Sequence, residues 1–173
     1  MHMPTSSAGW ILSVDPGLRC VGVALFKDGV LVRAAALRGP VTGRGPAVWA
    51  SLAVLVDTWV AARVPVADLA GPCTLVVEMM KVQVKGRADP SDLLELSGVT
   101  GAIVGRLSAD CWLAEGFEPA AWKGQVPRDI YGARVEGHLR AEGLWSRVEV
   151  PSRATELNDA MHAAGLGRWY LAR

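Results

Sequence analysis

The chain has 173 residues, 51% apolar and 20% charged, and its 18 basic and 17 acidic side chains leave a net charge of +1. That length fits one domain able to bury a sizeable core, and the apolar share excludes a disordered chain. No apolar run approaches the about 20 residues that a membrane-crossing helix needs, and the even charge balance confines any nucleic-acid binding to a local basic patch.

In chain order, residues 10 to 15 and 20 to 27 are short apolar runs separated by Pro16-Gly17. Asp28-Gly29 is a two-residue hairpin signal ahead of a third run at 30 to 37, so the three predict an antiparallel meander. After a glycine-rich loop, Pro46 suits the first turn of a helix reaching about residue 63. Val48, Leu52, Leu55, Val56, Trp59 and Val60 recur along it at helical spacing and form its buried stripe. CTLVVEMM, 73 to 80, reads as a fully buried fourth strand, central and parallel to the first.

A polar loop follows, and Ser91 is the expected N-cap of a helix to about residue 107 that carries Gly98, Gly101 and Gly105 among its leucines. Residues 110 to 117 predict a fifth strand, and Trp122-Lys123-Gly124 a loop. Then come a helix at 128 to 142, a short extended link and a last helix at 155 to 171. The order βββαβαβαα predicts an α/β fold, a mixed sheet of five strands flanked by helices.

Cys20, Cys73 and Cys111 are odd in number, far apart and set among apolar neighbours. They read as small core residues, not as disulfide or zinc partners. The opening MHMPTSSAG has neither the basic nor the apolar part of a secretion signal, so a cytoplasmic location is the expectation. Of the seven tryptophans, six fall in or beside predicted elements and are expected in the core or an interface. Trp122, beside Lys123 in a loop, is a candidate DNA contact.

Four acids sit where a carboxylate needs a reason. Asp15 closes the first run, and Glu78 is the only charge between Leu75 and Met80, where a strand would bury it unless a partner or cation compensates. Glu156 and Asp159, spaced i, i+3 at the start of the last helix, share a face. Singly, each has a plainer explanation: turn formation for Asp15, a salt bridge or sheet edge for Glu78, and the helix dipole for the last pair. Together they point further. If the first and fourth strands are neighbours, Asp15 and Glu78 converge at one sheet edge, and hard divalent cations are the usual answer to such a cluster. Two Mg²⁺ ions held about 3.5 to 4 Å apart would activate a water and stabilise the leaving oxygen of a phosphodiester, and the site then reads as a nuclease.

Val14-Asp15-Pro16-Gly17 with Gly22, Val76-Val77-Glu78 after a helix, and ELNDAM at 156 to 161 resemble, in order and spacing, the RuvC-type Holliday junction resolvases of the ribonuclease H-like superfamily. The resemblance spans residues 11 to 171, and the length and the WKGQV segment are similar to compact phage-encoded members. It implies a single ribonuclease H-like nuclease domain that cuts branched DNA at four-way junctions, leaving a 5′ phosphate and a 3′ hydroxyl. It also implies two Mg²⁺ or Mn²⁺ ions per site and a two-fold homodimer.

Carried over by position, Asp15 is the acid that bridges both metals, Glu78 the strand-four ligand and Asp159 the final-helix ligand. Glu156 falls where the family usually has Asp or His, a change of reach but not of acidity. Lys123 matches a lysine commonly found near the scissile phosphate. A second lysine expected in the next helix has no clear counterpart; Arg134 is the nearest candidate, and it joins Arg128 among the expected DNA contacts. Lys81, Lys85 and Arg87, the densest basic cluster of the chain, are expected to neutralise phosphates of the entering strands. The aromatic wedge that many members place just past the strand-four acid is missing from Met79-Met80-Lys81-Val82. His162, three residues after Asp159, reads as a packed histidine, with a proton shuttle as the alternative. The glycine-bearing helix at 92 to 107 is the candidate dimer face.

Two rivals remain: another ribonuclease H-like nuclease, acting on RNA/DNA hybrids or in phage packaging, and a junction-binding protein without turnover. The same acids would serve the first, whereas four intact acids speak against the second. A sugar-kinase or actin-like ATPase also uses a first-strand Asp-x-Gly but needs a second such domain, for which 173 residues leave no room.

Overall fold

Side chains alternate along the first strand, β1 (Trp10–Asp15), and that alternation sorts the molecule into two layers. Trp10, Leu12 and Val14 enter one core, while Ile11, on the opposite face with Ser13 and Asp15, enters the other. The computed structural model describes residues 9–39, 43–79, 89–110 and 112–173. Antiparallel to β1 runs β2 (Cys20–Lys27), and antiparallel to β2 runs β3 (Val30–Arg38). The Asp28-Gly29 turn between them has φ of 49° and 80°, the left-handed pair that a type I′ hairpin needs. Parallel to β1 lies β4 (Cys73–Glu78), and parallel to β4 lies β5 (Trp112–Phe117), giving the order β3-β2-β1-β4-β5. This is the mixed five-stranded sheet that the sequence predicts.

One face is covered by α1 (Pro46–Ala61) and α2 (Pro90–Ser108), whose Leu52, Val56, Val99 and Ile103 pack on Leu12, Val14 and Leu75. The other face carries α5 (Ala154–Leu171), which lies on β1, β2 and β3, with α4 (Arg128–Ala141) packed against it. Small residues bring α5 close: Ala24 and Ala34 from the sheet meet Ala160, Ala163 and Ala164 from the helix. A Cβ at Gly22 would run into the carbonyl oxygen of Asp159, so this glycine sets the height of α5 over β2. Ser13 Oγ donates to the Ala163 carbonyl at 2.7 Å and pins the helix to β1.

Several boundaries differ from the sequence reading. Asp89, not Ser91, caps α2: its carboxylate accepts from the Ser91 N–H at 2.9 Å, which leaves Pro90 in the first position, where its missing N–H costs nothing. The expected Trp-Lys-Gly loop opens with one turn of helix, α3 (Pro119–Trp122), and Lys123 is its C-cap. The link before α5 is not simply extended; it contains a 3₁₀ turn, Trp145–Arg147, after which Val148 bridges in parallel to Ala34. The fourth strand stops at Glu78, two residues short of the expected end. Cys20 and Cys73 are buried, as small core residues are, and Cys111 lies outside the described residues. Among the described residues no helix is long and apolar enough to cross a membrane.

Candidate active site

The parallel pairing of β1 with β4 ends at Val14 opposite Val77, so Asp15 and Glu78 are the next residues on two adjacent central strands. Alternation turns both toward the α5 face, because Asp15 follows Ile11 and Ser13 at period two, and Glu78 follows Val76. They are 3% and 4% exposed. Asp15 pairs across the ladder with Gly22, and over Gly22 sits the backbone of Asp159. Three carboxylates from three elements therefore gather at one end of the sheet.

Two cations hold them there. Arg128, the first residue of α4, donates from a single nitrogen, Nη2, to Asp15 Oδ2 at 2.8 Å and to Asp159 Oδ1 at 2.5 Å. Lys123 Nζ lies 3.0 Å from Glu78 Oε2 and 4.7 Å from the centre of the Trp122 ring, a cation over an aromatic face. Its third neighbour is His162 Nδ1, at 3.2 Å, and His162 Nε2 lies 2.9 Å from the main-chain carbonyl of Arg128. The imidazole is fully buried, edge-on to Trp122 and Tyr131 at 5.8 and 5.5 Å between ring centres.

Burial dominates the acid–base behaviour. It raises the Asp15 carboxyl to about 7, helped by the Glu78 carboxylate and opposed by Arg128 and Lys123. Burial likewise pushes Asp159 upward against the pull of Arg128. His162 is lowered to about 4, by burial first and then by the charges of Lys123 and Arg128, so its ring is neutral at physiological pH. The Cys20 thiol, raised to about 12 by burial and the nearby Asp159 carboxylate, stays protonated and supplies no nucleophile.

Of the residues singled out from the sequence, Asp15, Glu78, Asp159, Lys123 and Arg128 thus come together. Glu156 does not reach them: its carboxylate binds Arg38, at the end of β3, at 2.6 Å, with Arg153 3.8 Å away. Arg134, named from the sequence as the nearest candidate for a second lysine, stands apart from the carboxylates and lines a cavity of about 650 Å³ with Tyr131, His138 and Arg168, whereas Arg128, from the same helix, binds Asp15 and Asp159. Trp122 also moves out of the DNA-contact set. Only 7% exposed, it is core, packed on Tyr131 and His162, and presents no face on which a base could stack. Lys81, Lys85 and Arg87 lie outside the described residues. Arg38 was missed from the sequence because nothing local marks a strand-terminal arginine as the partner of an acid 118 residues away.

As a donor set, three carboxylates suit a hard divalent ion and would bind it through oxygen alone. Among the described residues, however, no group of three or more His, Cys, Asp or Glu side chains is arranged as a cage, and a guanidinium stands between Asp15 and Asp159. The residue types fit a metal; the side-chain arrangement is that of a site neutralised by its own cations.

No protein-family model matches the chain, and no curated protein matches it by sequence. Solved structures do. Thermus thermophilus RuvC superposes with a TM-score of 0.56 at 16% identity, over 94% of this chain and 95% of that one. T. thermophilus RuvC in complex with a Holliday junction substrate gives 0.58 at 15% identity, over 94% and 95% of the two chains. The yeast mitochondrial Holliday junction resolvase Ydc2 gives 0.61 at 12% identity, over 95% of this chain and 78% of that one. The chain has the ribonuclease H-like fold of these proteins.

Proposed function

We propose that this chain is a structure-selective DNA endonuclease of one domain, which cuts four-way junctions with two divalent ions, Mg²⁺ or Mn²⁺, and works as a homodimer. The observation that carries the reading is the convergence of Asp15, Glu78 and Asp159 at one end of a sheet shared with RuvC, a protein whose solved structures include one with a Holliday junction. In this reading Asp15, Glu78 and Asp159 would hold the ions, and Glu156 would join them on leaving Arg38. Bound there, the ions would supply an activated water and countercharge for the leaving oxygen.

The chain's own groups do the rest. Burial of Asp15 and Glu78 keeps water away from the carboxylates, which strengthens every charge interaction among them. Lys123 and Arg128, once exchanged off the carboxylates, carry charge to a phosphate at the same spot. Lys81, Lys85, Arg87 and Arg134 remain candidate contacts to more distant phosphates. Two symmetric cuts need two sites, hence the dimer. The exposed Leu94, Ser97, Gly101 and Gly105 of α2 follow one another at helical spacing and form the face proposed for it. Gly98, grouped with them from the sequence, is half-buried against Trp49 of α1 instead.

The substitution Asp15→Asn tests the reading in paired cleavage and binding assays. Cleavage of a four-way junction is expected to vanish while binding persists or tightens, since a charge that repels phosphate is gone. Retained cleavage would remove Asp15 from the site and end the argument. A junction cut by the wild type no faster than an RNA/DNA hybrid or a linear duplex would move the assignment to another nuclease of this fold. Junction binding with no cleavage in either Mg²⁺ or Mn²⁺ would support a binding protein.

A further inference from the structure

We propose that His162 is a positioning residue that sets both cations of the site from a single ring. The consequence for cleavage rests on the nuclease reading above; the geometry does not.

The nearest partners of the two ring nitrogens are of opposite character, and the Asp15 carboxylate, 3.9 Å from Nδ1, is too far to accept a hydrogen bond from it. Nε2 lies 2.9 Å from a main-chain carbonyl, that of Arg128, which can only accept, so Nε2 carries the hydrogen. Nδ1 lies 3.2 Å from the Lys123 ammonium, which can only donate, so Nδ1 offers its lone pair. One neutral tautomer satisfies both, and a ring turned over about its Cβ–Cγ bond would present C–H groups to both partners. Trp122 and Tyr131, edge-on to the buried imidazole, hold its plane, and the two bonds decide which edge faces which partner.

What the ring joins matters more than what it is. Lys123 caps α3 and Arg128 opens α4, and the turn between them includes Gly124 at φ 61° and Pro127. His162 ties the two ends of that turn to α5, three residues beyond Asp159 on the same helix. The helix that delivers an acid therefore also sets where two basic groups stand relative to it. Lys123 divides its donors between Glu78 and this neutral acceptor; without the acceptor, its ammonium keeps, among the described residues, the carboxylate and the Trp122 face to hold it. Such orienting partners typically matter by about 10- to 100-fold in activity.

The test uses the full chain with His162→Leu, which removes both bonds, and His162→Asn, which restores an acceptor toward Lys123. Brief treatment with acetic anhydride followed by mass spectrometry reads how readily Lys123 is acylated. Lys123, whose side chain is 12% exposed, is expected to react slowly in the wild type and in His162→Asn and several-fold faster in His162→Leu. In single-turnover junction cleavage His162→Leu is expected to lose about 10- to 100-fold at unchanged junction affinity, and His162→Asn to recover most of it. Made in a Lys123→Ala background, His162→Leu should cost far less than in the wild type, because the larger share of its effect passes through that lysine and only the rest through the Arg128 carbonyl. Losses that add in full would reduce His162 to a structural role and overturn the proposal, as would acylation that His162→Leu leaves unchanged. If His162→Leu fails to fold, His162→Gln, which keeps the donor to Arg128 and gives up the acceptor, takes its place in the same cycle. A wild type that cuts no DNA while Lys123 acylation behaves as expected would overturn the nuclease reading and leave the positioning role standing.

Discussion

Arg128 binds Asp15 and Asp159 with one nitrogen, and the proposed divalent ion would need the same oxygens. Guanidinium and metal would therefore compete, so that weakening the internal cation would strengthen the external one by mass action. Arg128→Gln is expected to bind Mn²⁺ several-fold more tightly in titration calorimetry and to melt at a lower temperature in chelator, where its carboxylates repel without relief. Weaker Mn²⁺ binding by the variant would show that Arg128 helps to build the site. Asp15 adds a pH dependence. Because its carboxyl is raised from 3.8 to about 7, the metal-free fold holds this proton more tightly than the unfolded chain, and the stability it contributes below pH 4 is lost as pH rises through 7. His162, lowered from 6.5 to about 4, acts in the opposite sense: its contribution is present above 6.5 and lost as pH falls toward 4. Comparison with Asp15→Asn in chelator cancels the histidine. The variant's melting temperature should gain on the wild type between pH 4 and 8, by about 2 to 4 °C per kcal/mol for a chain of this size. A gap that stays constant with pH would mean that Asp15 ionises freely.

At the scale of elements, the approach of α5 to β2 decides where Asp159 stands. Gly22→Val forces a side chain against the Asp159 backbone and is expected to cost about 1 to 3 kcal/mol, as overpacking does, and to reduce cleavage beyond what the lost folded fraction explains. Chemical denaturation with a cleavage assay on the folded protein separates the two effects. The elements themselves were largely legible. Period-two alternation and the Asp-Gly pair marked β1, β2 and β3 to within a residue, since a strand's faces and a tight turn are local matters. Four-residue α3 was not, because one helical turn carries too little periodicity to register; its single-turn burial of Trp122 was hidden with it. The cap of α2 went to Asp89 over Ser91, two residue types equally suited to it, and Pro90 tipped the choice.

Taken whole, the molecule keeps the fold of RuvC at 16% identity or less, because the alternation of apolar positions and the small residues between α5 and the sheet are what the topology demands. The outward side of α2 belongs to this scale too. Leu94 is 67% exposed, and a Cβ at Gly101 or Gly105 would meet nothing within 4 Å. Sedimentation at micromolar concentration is expected to show a dimer, and Leu94→Asp a monomer that still binds junctions and no longer couples the two cuts. A wild type that sediments strictly as a monomer would remove the dimer from the proposal.

By itself the sequence determined the sheet, its four long helices and the strand-end position of Asp15 and Glu78, for these follow from local pattern and from the cost of burying an unpaired charge. Only the tertiary structure decided which charges meet. Arg128 reaches Asp15 across 113 residues and Arg38 reaches Glu156 across 118, pairings that depend on how the helices settle on the sheet and leave no mark on either neighbourhood. His162 is the packed ring that the sequence suggested, and only the structure shows which residues face its two nitrogens, since neither Lys123 nor Arg128 is adjacent to it in the chain.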